Sequence, residues 1–265
     1  MTPRELLDGL RDGNFHVGGI RCLRLMRLHD QYFAALQGEV ANLSERERPS
    51  DIQKDDHITN WTRPRGEVLQ FSLLNLSGRT SDFSGDHDLS SFGKRFHLGA
   101  DYPMLARFIS TFPDITNFRL NTIGPTARLA PHEENSIIRT KTGSIGACVR
   151  YHLPILTNPG AELTLDGQVF HMEAGIVYLV NHGCVHAVQN GGSERRLHLV
   201  WDQLLTCPAY EAVFGDKPDP FWGTRIREEE QIPSVLRVVR MGAHVRLPSC
   251  VDQVAAEQVD LCDPQ

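Results

Sequence analysis

The sequence predicts a mainly β fold, a double-stranded β-helix (jelly roll) with flanking N-terminal helices and a C-terminal extension. Three observations carry that prediction. From Glu67 onward the chain breaks into short β-rich runs, turn-forming residues separate most of them, and helix-like periodicity is confined to the N-terminal region and one internal segment. The runs are 68–76, 115–123, 147–155, 161–165, 168–172, 175–180 and 196–202. Asn158-Pro159-Gly160, Asp166-Gly167, Ala174-Gly175 and Asn190-Gly191-Gly192 punctuate them. Many short strands at this spacing suit two sheets wound into one barrel.

Before that region, residues 2–11 and 20–43 read as helices. In the second, Ile20, Leu23, Met26, Phe33, Leu36, Val40 and Leu43 recur at helical intervals. Residues 44–66 are polar, charged and proline-broken, and read as a linker. A helix is expected over 102–112, after a long polar loop (78–101) rich in Gly and Ser that is a candidate lid. The expected organisation is a helical extension and linker over 1–66, a cupin-like jelly-roll core over 67–203 and a C-terminal extension over 204–265.

Composition narrows the function classes. A chain of 265 residues, 40% hydrophobic and 23% charged, can bury a sizeable core. A net charge of −6 argues against a nucleic-acid partner, which needs a basic face. No run of eighteen apolar residues occurs, and the N-terminus lacks the apolar stretch of a secretory signal. Six cysteines stand at 22, 148, 184, 207, 250 and 262 with no CxxC pair, so reduced thiols and a cytoplasmic location are expected.

Among twelve histidines, two stand out. Pro131-His132-Glu133-Glu134 contains an H-x-E step, and in an extended strand residues two apart share a face. His132 and Glu134 can therefore present an imidazole and a carboxylate to one ion. His186 supplies a distant second imidazole, and two His with one carboxylate form the facial set of non-haem Fe(II) sites. Arg196 lies further along, inside a run of mostly apolar residues, where a guanidinium is costly unless it has an anionic ligand. Pairing with Asp202 or Glu194 is the competing structural role.

The segment from about 67 to 203 resembles the aspartyl/asparaginyl β-hydroxylase-like Fe(II)/2-oxoglutarate oxygenases, which include bacterial proline cis-hydroxylases. The resemblance rests on Pro131-His132-x-Glu134, Arg150-Tyr151-His152-Leu153, Phe170-His171-Met172, His186 with Asn190, and Arg196-Leu197-His198-Leu199-Val200-x-Asp202. It implies iron at His132 and His186, 2-oxoglutarate paired with Arg196, and Arg150, His152 and Asn121 lining the cosubstrate pocket. The proline hydroxylases carry Asp where this chain has Glu134, and the β-hydroxylases proper have no carboxylate ligand. Glu134 is therefore a metal ligand, or else an acceptor nearby or a substrate contact; Glu133 has the wrong parity. His182 competes with His186, but only His186 stands at the family's distance from the arginine.

What the resemblance implies is hydroxylation of an unactivated C–H bond with Fe(II), 2-oxoglutarate and O2, releasing succinate and CO2. The substrate is expected to be an amino acid, free, peptidyl or carrier-bound. Its carboxylate would suit an arginine clamp, with Arg128, Arg139, and Trp61 beside Arg63 and Arg65 as candidates. The alternative function is a metal-binding cupin without oxygenase activity, an isomerase or small-molecule sensor, which would not require Arg196 with 2-oxoglutarate. A third is an inactive scaffold whose extensions bind a partner protein.

Overall fold

A computed structural model describes residues 1–14, 19–51, 67–86, 88–134, 136–140, 145–215, 225–229, 244–245 and 253–254. The chain opens with helix α1 (Pro3–Asn14), strand β1 (Cys22–Arg27), helix α2 (Asp30–Arg46) and strands β2 (Ser50–Asp51) and β3 (Val68–Ser72). Helix α3 (Pro103–Ser110) precedes β4 (Ile115–Ile123), β5 (Arg128–Glu133), β6 (Ile137–Thr140), β7 (Ile145–Leu156), β8 (Ala161–Leu165) and β9 (Gln168–Phe170). Then come β10 (Ile176–Val180), β11 (His186–Asn190), β12 (Arg196–Leu204), helix α4 (Cys207–Phe214), β13 (Arg225–Glu229), β14 (His244–Val245) and β15 (Gln253–Val254).

The strands form two sheets whose members alternate along the chain. The larger runs β13-β1-β10-β7-β12-β4-β3-β2, with β6 and β15 off that path; the smaller runs β14-β5-β11-β8-β9. From β4 to β12 the chain steps between sheets at β5, β6, β8, β10, β11 and β12. That winding is a jelly roll. Between β8 and β9 the reversal uses Asp166 and Gly167, both at positive φ (48° and 83°), as a two-residue hairpin requires.

The expected helix over 20–43 is corrected. Its first part is β1, paired antiparallel with β10, and only Asp30–Arg46 is helical. Cys22, Leu23, Leu25 and Met26 are all buried, and a bulge between Arg24 and Met26 lets a near-continuous apolar run serve as a strand. Open backbone groups along β10 decide the matter, since buried N–H and C=O groups must find partners. The first 66 residues thus contribute two strands, β1 and β2, to the larger sheet as well as helices. The other differences are at strand ends, together with β2, β5, β6, β11 and β13 to β15, which the runs read from sequence did not include.

Alternation assigns the two faces of the larger sheet. Outward go Phe71, Phe118, Leu120, Tyr151, Leu153, Leu197, Leu199 and Trp201, which join residues of α1, α2 and α3 in one apolar cluster. Trp201 stacks on Phe118 and Tyr151 with centroids 5.3 Å apart in each case. The helices are tied to one another by Glu39 of α2, whose carboxylate accepts the N–H groups of Met104 and Leu105 at 3.0 and 2.8 Å. This caps α3, whose own N-cap residue Tyr102 offers no side-chain bond. The inward face carries Arg150, His152, Arg196, His198 and Asp202, all buried, and looks toward the smaller sheet.

Candidate metal centre

The smaller sheet supplies the imidazoles. His132 on β5 stands directly opposite His186 on β11, with ring centroids 4.2 Å apart. The next pair is Leu129 with Val188, so β5 bulges around Pro131. Proline has no N–H to lose at such a break. Both rings are oriented by backbone: His132 Nδ1 lies 2.8 Å from Ala130 O, and His186 Nδ1 lies 2.9 Å from Cys184 O. A carbonyl only accepts, so each Nδ1 carries the proton and each Nε2 presents its lone pair. That is the state an imidazole needs to ligate a metal. Burial, then the neighbouring His132, holds the His186 imidazole well below its usual range, keeping it neutral.

Glu134 joins them just past the end of β5, where its N–H donates to His182 O at 2.9 Å. Ligand atoms of His132, Glu134 and His186 all lie within 4.8 Å of one another. This donor set fits a divalent iron in a facial arrangement. Burial alone would raise the Glu134 carboxyl, but Arg150, then His182, hold it well below the usual carboxylate range, so it is an anion. His182 lines the same cavity but stands outside this three-ligand cluster.

Between the sheets lies a cavity into which His132, Glu134, His186, Arg150, His152 and Arg196 all open. Arg150, expected at the cosubstrate, has two of its nitrogens committed to carboxylates. Its Nε donates to Asp202 Oδ1 at 2.7 Å, and its Nη2 donates to Asp202 Oδ2 and Glu134 Oε2, each at 2.8 Å. Asn117 Nδ2 donates to Asp202 Oδ2 at 2.7 Å and completes the row. Arg150 thereby aims the Glu134 carboxylate.

Arg196 behaves differently. It is 4% exposed, and among the described residues it pairs with no carboxylate; Asp202 is taken by Arg150 instead. Burial alone pushes its guanidinium down to about 9, still protonated at neutral pH. Its Nη2 lies 2.6 Å from His198 Nδ1. Asn121 Oδ1 and His152 Nδ1, whose side chains line the cavity, have no hydrogen-bond partner among the described residues. Burial, then Arg196 and Arg150, hold His152 neutral.

The expected substrate contacts fare less evenly. Arg128 is exposed, opposite Gln189 on β11, and is not part of the cavity wall. Arg139 lies in β6, and its side chain is outside the described residues, as are Trp61, Arg63 and Arg65. Arg119 and Gln70 line the cavity and were not singled out from the sequence. Their signal was parity, since Arg119 stands two residues from Asn121 on β4 and Gln70 pairs opposite Asn121. Arg119 Nε donates to Asp86 at 2.6 Å, and its guanidinium sits 5.9 Å from the Phe83 ring centroid. The expected lid segment is therefore pinned to the cavity wall.

The sequence comparison meets this geometry. Residues 85–204 match the aspartyl/asparaginyl beta-hydroxylase family. The matched segment runs from the pinned loop to the last residue of β12 and contains His132, Glu134, Arg150, His186 and Arg196. No curated protein matches the chain. Among solved structures, the non-heme alpha-ketoglutarate-dependent epimerase SnoN from nogalamycin biosynthesis is similar in fold, at 10% identity and a TM-score of 0.47, covering 84% of this chain and 94% of that one. A Pseudomonas putida prolyl-4-hydroxylase is 16% identical at a TM-score of 0.40, with 73% and 98% covered. A predicted oxalate decarboxylase from Thermotoga maritima is 13% identical at 0.34, with 61% and 96% covered.

Proposed function

We propose that this chain is an Fe(II)- and 2-oxoglutarate-dependent dioxygenase that hydroxylates an unactivated C–H bond of an amino acid or an amino-acid-derived substrate. The observation that carries the reading is Arg196. A buried guanidinium without a carboxylate partner among the described residues opens into the same cavity as two imidazoles and a carboxylate that can hold iron. Such a cation calls for a ligand anion, and a keto-diacid brings one at the distance from its keto-acid end that a shared cavity allows.

His132, His186 and Glu134 would hold the ion through one face and leave the other to ligands. Ferrous iron bound there supplies activation of O2 coupled to decarboxylation of 2-oxoglutarate to succinate and CO2. The chain's own residues do the rest. Arg196 holds the far carboxylate of the cosubstrate, Arg150 keeps Glu134 aimed, and neutral His152 offers a hydrogen bond without adding charge. Leu163, Val180, Val188 and Val200 line the cavity and exclude water, which limits unproductive turnover.

Anaerobic addition of Fe(II) and 2-oxoglutarate tests the reading. A visible metal-to-ligand charge-transfer band is expected, followed by succinate release when O2 and a panel of amino acids and short peptides are added. Bound iron with neither band nor succinate would favour the isomerase or sensor alternative.

A further inference from the structure

We infer that His198 is a positioning residue for Arg196, holding its guanidinium in the orientation that meets the distal carboxylate of the cosubstrate. The inference rests on the proposed cosubstrate and concerns a residue that is buried, 2% exposed, and is not among those lining the cavity.

Three observations lead there. On β12, residues 196 and 198 share a face, and Arg196 Nη2 lies 2.6 Å from His198 Nδ1. A guanidinium can only donate, so Nδ1 is the acceptor and the ring is the neutral tautomer with its proton on Nε2. That Nε2 is buried and has no hydrogen-bond partner among the described residues. The neighbours opposite are Pro154 on β7, which has no N–H, and Asn121 on β4, while the His152 ring stands 6.1 Å away. His132, His171 and His186 each have Nδ1 within hydrogen-bond range of a backbone carbonyl; His198 instead uses its Nδ1 on the arginine and leaves its other nitrogen unmet.

The contrast with Arg150 explains the choice of a neutral anchor. Arg150 is fixed by Asp202 and Glu134, two carboxylates that cancel its charge. Arg196 is fixed by an uncharged acceptor, which sets the plane of the fork and leaves its positive charge for a ligand. Of the two guanidiniums, only Arg196 is both oriented and electrostatically unspent.

The test compares the iron-loaded wild type with His198→Leu, which removes the acceptor, and His198→Asn, whose side-chain oxygen restores one near Nδ1. Two probes are titrated anaerobically through the charge-transfer band: 2-oxoglutarate, and 2-oxopentanoate, of equal length without the distal carboxylate. His198→Leu is expected to raise the Kd for 2-oxoglutarate about tenfold or more, leaving Fe(II) affinity and 2-oxopentanoate binding unchanged. His198→Asn is expected to return within about threefold of the wild type. A leucine variant that binds 2-oxoglutarate normally, or weakens both acids alike, overturns the assignment. If the leucine variant does not fold, His198→Gln moves the acceptor by one methylene; it should bind more weakly than His198→Asn, and equal binding is the contrary result. A wild type that holds iron but gives no band sinks the proposed cosubstrate itself. A wild-type band beside an unaffected leucine variant sinks only the role of His198.

Discussion

The two faces of the larger sheet are built from alternate residues of the same strands and have opposite characters. Along β12, Leu197, Leu199 and Trp201 point outward into the helix-covered apolar cluster, while Arg196, His198 and Asp202 point toward the smaller sheet. Both faces are buried. The outer one is stabilised by removing apolar surface from water. The inner one removes charged groups from water, which is unfavourable unless each finds a partner. Asp202 and Arg150 find each other; Arg196 finds no acid among the described residues. Where a fold keeps a buried charge that it does not neutralise itself, that charge is available to a ligand.

The comparison can be broken most severely at the metal. His186→Ala is expected to abolish iron binding, read by metal content after anaerobic loading, while the apolar face and the fold persist. Retained iron, together with loss in His182→Ala, would transfer the ligand role to His182. On the outer face, Trp201→Ala should cost about 3–5 kcal/mol of stability, because the indole is fully buried among Phe108, Phe118 and Tyr151. Chemical denaturation measures that; a loss below about 1 kcal/mol would mean the helices do not depend on this contact.

On the inner face, Asp202→Asn should cost about 2–3 kcal/mol at neutral pH, since Arg150 then keeps only Glu134. The effect has a pH signature. Burial would raise the Asp202 carboxyl, but Arg150 draws it far below the usual range, and an unfolded Asp titrates near about 3.9. The folded value is the lower one, so the stabilisation is complete above the unfolded value and is lost as pH falls toward the folded one. Wild type and Asp202→Asn should therefore be fully separated above about pH 4 and converge as the pH falls below it; parallel curves would refute the ion pair's role.

The smallest effect on folding is expected at Arg196. Arg196→Leu should leave stability unchanged or raise it by about 1 kcal/mol, because a buried cation with no acid partner among the described residues is replaced by an apolar side chain. The same change should weaken 2-oxoglutarate binding about a hundredfold with iron affinity intact. A destabilised variant with normal cosubstrate binding would show that Arg196 serves the fold.

Much of the fold and of the candidate metal centre is legible in the order of residues alone. Short strands with turn residues between them point to a jelly roll, and His132, Glu134 and His186 stand out because metal ligation demands particular donor types. Their convergence within 4.8 Å agrees with the H-x-E parity. Arg128 misleads because nearness in sequence to His132 does not survive the bulge at Pro131, beyond which Arg128 faces out. β1 misleads because a strand buried on both faces has no alternation to distinguish it from helix periodicity.

The sequence by itself determined which residues alternate along each strand, where the chain turns and which side chains have the chemistry to bind a metal and an anion, because these follow from local stereochemistry and donor type. Only the tertiary structure decided how charges were shared out among them. Asp202 lies opposite Arg150 across β12 and β7, and Arg196 falls beside His198 with no acid within reach among the described residues. Strand register and sheet order place those partners, and electrostatic pairing depends on distance in space, which the order of residues along the chain does not specify.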